Sequence, residues 1–421
     1  MNSVELVNEV FQDFSRVTGL VSNKKKSHIY FGGVKEEIKN AILEITQMEE
    51  GSFSLNYLGV KLRPTKWRAE DCGVILDKLS LKLNGWASRN LSFAGCAQLI
   101  HSVLLGIRNF WMSLFILPQK IVVAVDKKCR DFLWGVNGNR SKLHMPSWEK
   151  VCLPKQFGGI GFREGKKWNM AMVAKHLWAI SSKQDNLWVK LINSIYLKNQ
   201  DVWSCPIKPD LSWYFKKLLK IRNVTNANMV NQAVKGNKFK VNRFYNELIE
   251  ADRTPYTATV WHKYIVPKHR FMFWQIINEN LLTRDHLSRF FPIHSGLCLV
   301  CDDAPESHNH LFFECIFTRN LIVFVEKWAG HMHWPKNISE LHDRVLPAKA
   351  NLASKIMNAI TAAALYLLWK NRNDCLFSMV CNSVASLSKE IKSVVKARVL
   401  GLYCTSQRKK DQYVLRLLNS W

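Results

Sequence analysis

The chain has 421 residues, 48% of them hydrophobic, so it can bury real cores and is not disordered by composition. Lys and Arg total 60 against 33 Asp and Glu, and the net charge of +27 implies a polyanionic partner, with nucleic acid and acidic proteins ahead of an anionic membrane. No signal peptide and no run of about eighteen apolar residues is present, so no membrane span is expected, and eleven cysteines without a compact disulfide framework point to a reducing, intracellular setting, nuclear or cytoplasmic.

In chain order, Val4, Val7, Val10, Phe11 and Phe14 predict a helix ending at Gly19. Residues 28–32 and 53–62 are short apolar runs rich in β-branched and aromatic residues, and both read as strands. Between them Ile38, Ile42 and Ile45 predict a helix over Lys35 to Gln47. Two strands and two helices do not close a sheet, so residues 1–65 read as the remnant of a larger α/β unit.

Three helices are predicted next. Asp71 can head one that carries Ile75, Leu79, Leu83 and Trp86 on one face. Ser92 caps the second, which turns Leu99, Ile100, Val103 and Ile107 inward. Pro118 opens the third, which buries Val122, Val125, Cys129, Phe132 and Leu133 and stops at Gly135. Gly158-Gly159-Ile160-Gly161 lacks the Lys-Ser/Thr of a phosphate loop and reads as a turn between helices. Trp168, Trp178 and Trp188 read as core. Ile356, Ile360, Ala363, Leu367 and Leu368 predict a helix running to Trp369, and another spans Val384 to Leu402.

The sharpest local signal is Cys298-x₂-Cys301-x₈-His310-x₄-Cys315. A Cys-x₂-Cys turn puts two thiolates on one Zn²⁺, and a His and a Cys complete a tetrahedron. Four protein ligands leave no open position, so the zinc is structural. His308 competes with His310, and spacing alone does not choose between them. Asp302 to Pro305 suit the turn, and Leu311, Phe312 and Phe313 suit packing of the returning segment.

Basic clusters occur at Lys24-Lys25-Lys26, Lys127-Lys128-Arg130, Lys166-Lys167, Lys216 to Arg222, Lys235 to Arg243 and Arg408-Lys409-Lys410. Such clusters suffice for affinity to RNA or DNA without sequence preference. Lys268, His269 and Arg270, beside the zinc motif, form the best single contact patch.

Several segments together resemble a family. Asn23 to Ser27, Tyr57-Leu58-Gly59-Val60, Gly85-Trp86, Leu91 to Gly95, Phe132-Leu133-Trp134-Gly135, Trp148 to Lys155 and Gly158 to Phe162 resemble the end of a plant non-LTR (LINE-type) retrotransposon reverse transcriptase. Val260 to Lys263, Phe271 to Trp274, Leu281 to Leu287 and Glu306 to Cys315 resemble the zinc-binding domain that comes after it. The Trp369 to Asn373 segment resembles the family's region beyond that domain. The resemblance implies a mainly α fold with a small α/β remnant: palm remnant 1–65, thumb-like helices 66–150, helical connection 151–239, zinc-binding domain 240–330 and C-terminal helices 331–421. It also selects His310, the histidine just before Leu-Phe, as the zinc ligand. One departure is Cys96, which stands where the family has an arginine.

A polymerase needs paired carboxylates for two Mg²⁺ ions. The family carries them in an aromatic-x-Asp-Asp turn, and this chain has none. Its adjacent aspartates, Asp302-Asp303, come after no strand. Nor do spaced carboxylates of an RNase H domain appear after residue 335. The expected function is therefore non-catalytic binding of zinc and nucleic acid. The alternatives are a split enzyme with its palm and fingers on a separate polypeptide, and a helical protein-interaction module.

Overall fold

The apolar stripe that begins at Val4 forms the helix Asn2–Thr18 in a computed structural model of the chain, and Gly19 ends it at φ +73°. Described are residues 2–24, 27–52, 55–57, 60–62, 68–86, 91–137, 140–198, 200–347 and 349–403. They are mainly helical, and contacts divide the chain into two units, Met1–Gly73 and Val74–Trp421. The four later segments of the sequence-based division fall in the second unit, apart from residues 66–73.

In the first unit, the helix Glu36–Thr46 accepts a bond from Asn8 Nδ2 at the Ile45 carbonyl, 3.3 Å. The strand His28–Ile29 pairs in parallel with Glu49–Glu50, a partner the apolar pattern did not reveal. The 53–62 run is not one strand: Leu55–Tyr57 pairs antiparallel with Val60–Leu62, Tyr57 opposite Val60. Two antiparallel arms close together in the chain look, in one dimension, like one continuous strand. Along Asn2–Thr18, Val7, Val10, Phe11 and Phe14 stay 54–60% exposed. Asp71 accepts the Arg68 N–H at 2.7 Å within the single turn Glu70–Cys72.

The second unit opens with the helices expected. Gly73–Asn84 buries Ile75 and Leu79. Ser92 Oγ accepts the Gly95 N–H at the head of Phe93–Leu99, which continues through a widened turn into Leu105–Leu114. Gln119–Trp134 buries Val122, Val125, Cys129 and Leu133 and ends at Gly135, φ +81°. Phe132 is only half-buried.

Buried polar groups fasten this bundle to the helix Gly165–Ser181 and the segment leading into it. Arg108, 1% exposed, meets Asp126 at 3.3 Å and donates to the Phe162 and Arg163 carbonyls. Asn169, on Gly165–Ser181, takes up the Leu117 N–H and donates to the Met112 and Phe115 carbonyls. The Asn169 bonds lie where Leu105–Leu114 ends and buried backbone would otherwise go unpaired. Gly165 sits so close to Val122 that a Cβ would approach its Cγ1 to 2.4 Å. The Gly158 to Gly161 segment is a tight packed turn, as its sequence implied. A Cβ at Gly159 would lie 2.0 Å from the Leu153 carbonyl oxygen, and the Gly158 carbonyl accepts Trp274 Nε1–H at 2.7 Å.

The last part packs Pro267–Ile277 and Val384–Tyr403 against the helix Leu352–Phe377, and Ile316–Ala329 against Val384–Tyr403. That helix runs eight residues past the expected end at Trp369. It is long and apolar enough to cross a membrane by length and composition, yet Ile356, Ile360, Ala363, Leu367 and Leu368 are all buried within the unit. Cys375 and Cys381 are joined by a disulfide across the turn after it, a pairing not expected from the scattered cysteines.

The deepest ion pair is here. Arg372, on Leu352–Phe377, donates to both oxygens of Glu306, at 2.7 Å from Nη2 and 3.1–3.2 Å from Nε. Both side chains are almost wholly buried.

Arg372→Met strands a buried carboxylate and should cost about 3–5 kcal/mol, read from urea unfolding; a loss below about 1 kcal/mol would show the pair to be dispensable. Burial, helped by Lys175 and Lys268, holds His176 at about 4 and His269 at about 3, below the ordinary 6.5. The unfolded chain takes up these protons first, so stability is full above about pH 6.5 and falls as pH drops toward 4. His269→Gln should flatten that decline; an unchanged slope would remove His269 from it.

Candidate metal centre

The chain reaches the site through the short helix Arg284–Leu287 and returns along a loop whose first arm pairs Leu297 with Pro305. The Cys298 N–H donates to the Ala304 carbonyl, and the Asp302 N–H closes a turn onto the Cys298 carbonyl. Asp302 takes φ +55°, a left-handed conformation that aspartate tolerates better than most residues. This turn brings Cys298 and Cys301 to one side.

The other two ligands come from a widened turn, His310–Glu314, in which the Cys315 N–H bonds the His310 carbonyl five residues back, at 2.7 Å. Cys315 then heads the helix Ile316–Ala329. A regular helix would turn residues five apart well away from each other, whereas the wider turn keeps His310 and Cys315 closer in angle. Leu311, Phe312 and Phe313 are buried beneath it, and Trp334 Nε1 donates to the Phe312 carbonyl at 3.0 Å.

One ligand atom from each of Cys298, Cys301, His310 and Cys315 lies within 4.8 Å of the other three. Cys301 Sγ is 3.3 Å from His310 Nε2. Tetrahedral Zn²⁺, with bonds of ~2.3 Å to sulfur and ~2.0 Å to nitrogen, sets its ligands about 3.5–3.8 Å apart. The donor set fits that ion with small movements. The backbone is also prepared for thiolates. The Cys298 thiol hydrogen-bonds Cys315 and thereby pushes the Cys315 pKa down, and the Thr318 and Phe317 N–H groups act the same way. That same bond, then burial, pushes Cys298 up, against the Val300 and Cys301 N–H groups.

His308 is committed elsewhere. Its Nε2 receives the Leu281 N–H at 3.3 Å and its Nδ1 meets Thr283 Oγ1 at 3.2 Å. Burial, then His286, holds it at about 4. It clusters instead with Asp285 and His286, whose Nδ1 bonds the Leu281 carbonyl at 3.0 Å.

The contact patch beside the motif is not one surface. Lys268, His269 and Arg270 are consecutive on Pro267–Ile277, where successive residues diverge by about 100°. His269 is 1% exposed and stacks on Tyr366. Lys268 is exposed, 5.0 Å above the same Tyr366 ring, and Arg270 braces the Ile265 and Lys263 carbonyls. Lys24 is exposed and bonds Gln47; Lys25 and Lys26 lie outside the described residues.

Residues 239–321 match the family described as zinc-binding in reverse transcriptase. The chain carries that zinc-binding domain. Over 124 residues it is 37% identical to a "Putative ribonuclease H protein" of Arabidopsis thaliana, a match that covers 30% of this chain and 20% of the relative. Over 105 residues it is 28% identical to an "Uncharacterized mitochondrial protein" of the same plant, covering 24% of this chain and 68% of the relative. The chain thus spans only a fifth of the first of these relatives. The plant retroelement resemblance rests on these matches and on the Cys/His cluster inside the domain.

Two residues that matter to the domain, Glu306 and Arg372, were not singled out from the sequence. Glu306 accepts the Arg284 N–H at 2.8 Å as well as the Arg372 guanidinium. The signal was present in the Glu306 to Cys315 and Trp369 to Asn373 segments, but nothing in one dimension paired them.

Cys315→Ser should lose bound zinc, and His308→Ala should retain it, because His308 bonds backbone and Thr283 instead. Metal content after chelation and dialysis decides: zinc lost from His308→Ala but kept by His310→Ala would reverse the ligand choice. Protons compete for thiolates and imidazole, so affinity should fall with pH.

Proposed function

We propose that this retroelement-derived chain is a non-catalytic binder of RNA or DNA, in which one structural Zn²⁺ held by Cys298, Cys301, His310 and Cys315 fixes the binding domain. The observation that carries the metal part is the cluster of four ligand atoms within 4.8 Å, inside residues that match a zinc-binding family. Four protein ligands close the coordination sphere, so the ion organises the fold and offers no place for substrate. The nucleic-acid part is supported by the +27 charge. Phosphate contacts of that kind give affinity without sequence preference and weaken with salt.

The non-catalytic part is supported by the sequence, which has no aromatic-x-Asp-Asp turn. Asp302 and Asp303 belong to the cysteine loop, where Asp302 closes a turn. A second reading, a split enzyme completed by a palm and fingers polypeptide, is favoured by one observation. The helix Asn2–Thr18 leaves Val7, Val10, Phe11 and Phe14 exposed along one side, a stripe that soluble helices ordinarily bury. An intracellular setting, nuclear or cytoplasmic, without a membrane belongs to both readings.

Mobility shifts on single-stranded RNA and DNA test the binding. Affinity should fall at least about tenfold between roughly 50 and 200 mM salt. Affinity independent of salt would remove the electrostatic account. The pure chain should extend no primer and cleave no RNA–DNA hybrid; Mg²⁺-dependent extension by it alone would overturn the non-catalytic reading.

A further inference from the structure

A cleft of about 360 Å³ opens in the second unit between the helix Phe93–Leu99, the Lys155 to Phe162 segment and the start of Pro267–Ile277. Lys155, Arg270, His101 and Trp261 bring its polar groups. Lys155 Nζ lies 4.3 Å from the centre of the Trp261 ring and keeps part of its surface open to solvent. The Trp261 Nε1 atom itself is buried, without a hydrogen-bond partner among the described residues. Arg270 is fixed from behind: Nε donates to the Ile265 carbonyl and Nη2 to the Lys263 carbonyl, while Nη1 makes no hydrogen bond among the described residues.

The charge around this cleft is of one sign. Arg398, from the helix Val384–Tyr403, donates to the same Lys263 carbonyl as Arg270. Among the described residues, neither Lys155 nor Arg270 forms a salt bridge, whereas buried Arg372 has Glu306 and buried Arg108 has Asp126. Desolvation first, then Arg270, holds Lys155 below its ordinary value, and desolvation first, then Arg398, does the same to Arg270. The charges acting on His262, beside Trp261, are Lys355, Lys263 and Arg270, all cationic. Cations gathered around a cleft whose lining holds no carboxylate are the complement of a bound anion.

We propose that this cleft is a phosphate seat, in which Lys155 and Arg270 hold one phosphate group. Lys155 supplies a mobile point charge at the mouth, and the braced guanidinium presents a donor in a fixed direction. Backbone phosphate of a nucleic acid and free phosphate share this chemistry. The proposal deepens the nucleic-acid reading and rests on it only for the source of the phosphate.

Calorimetric titration of the full zinc-loaded chain with inorganic pyrophosphate tests the seat. Lys155→Gln should weaken binding about tenfold, as loss of a charge-assisted contact does. Arg270→Lys, which keeps the charge but loses the fixed donor, should weaken it by a factor of about three or more. Lys327→Gln, the same charge change on an exposed helix face outside the cleft lining, should stay within about twofold, as expected of a screened charge. No pyrophosphate binding by the wild-type chain, or equal weakening by Lys155→Gln and Lys327→Gln, overturns the seat. Circular dichroism of each variant separates a lost contact from a lost fold, and Arg270→Lys stands in if Lys155→Gln unfolds.

A second arm uses a single-stranded oligonucleotide. Pyrophosphate should displace it, and Lys155→Gln should weaken it. If the oligonucleotide binds but neither effect occurs, the seat is wrong and the nucleic-acid reading survives. If pyrophosphate binds as expected but the oligonucleotide does not, the seat stands with free phosphate as its ligand and the nucleic-acid reading falls.

Discussion

The Glu306–Arg372 pair is the constraint on which the second unit depends. One carboxylate accepts the guanidinium of the longest helix and the Arg284 N–H, while the Glu306 backbone bonds Gly296 and Asp285. The short helix, the cysteine loop and the core helix therefore meet at one buried residue. A buried carboxylate is tolerable only when its oxygens are fully engaged, and here the geometry is two-pronged. The cost of desolvating the pair selects a single arrangement: a shifted Leu352–Phe377 would strand both charges.

That anchoring explains how a small metal site acquires a fixed place. The cysteine loop has few apolar residues of its own. It is held by Glu306 on one side and by Leu311, Phe312 and Phe313 on the other, all buried. The four candidate ligands alternate along the chain with these anchors. His308 belongs to the support: one ring nitrogen accepts the Leu281 N–H, the other meets the Thr283 hydroxyl, and burial keeps it neutral.

Electrostatics divide the cations into two populations. Arg108 and Arg372 are buried, paired and structural. Lys155, Arg270 and Arg398 crowd together without carboxylates and raise the local potential. A chain with a surplus of 27 positive charges carries many lysines besides these. What distinguishes the cleft is concavity and repulsion among its own charges.

The helices at 2–18, 36–46, 73–134 and 352–403, most of their ends and the Cys298-x₂-Cys301 pair were legible in the amino-acid order. Ser92, Pro118 and Gly135 act through bonds within a few residues, and Cys298-x₂-Cys301 is a local turn, so one dimension is enough to see them. Where local pattern was ambiguous, it misled: Leu55–Tyr57 and Val60–Leu62 are two antiparallel strands, and Lys268-His269-Arg270 is split by helical rotation into exposed, buried and braced residues. Which polar residues become buried partners emerged only from the folded chain. Glu306 and Arg372 lie 66 positions apart, and Lys155 meets Trp261 and Arg270 from segments more than a hundred residues away. Their meaning arises from desolvation, which depends on every neighbour in three dimensions and leaves no periodic trace in the chain.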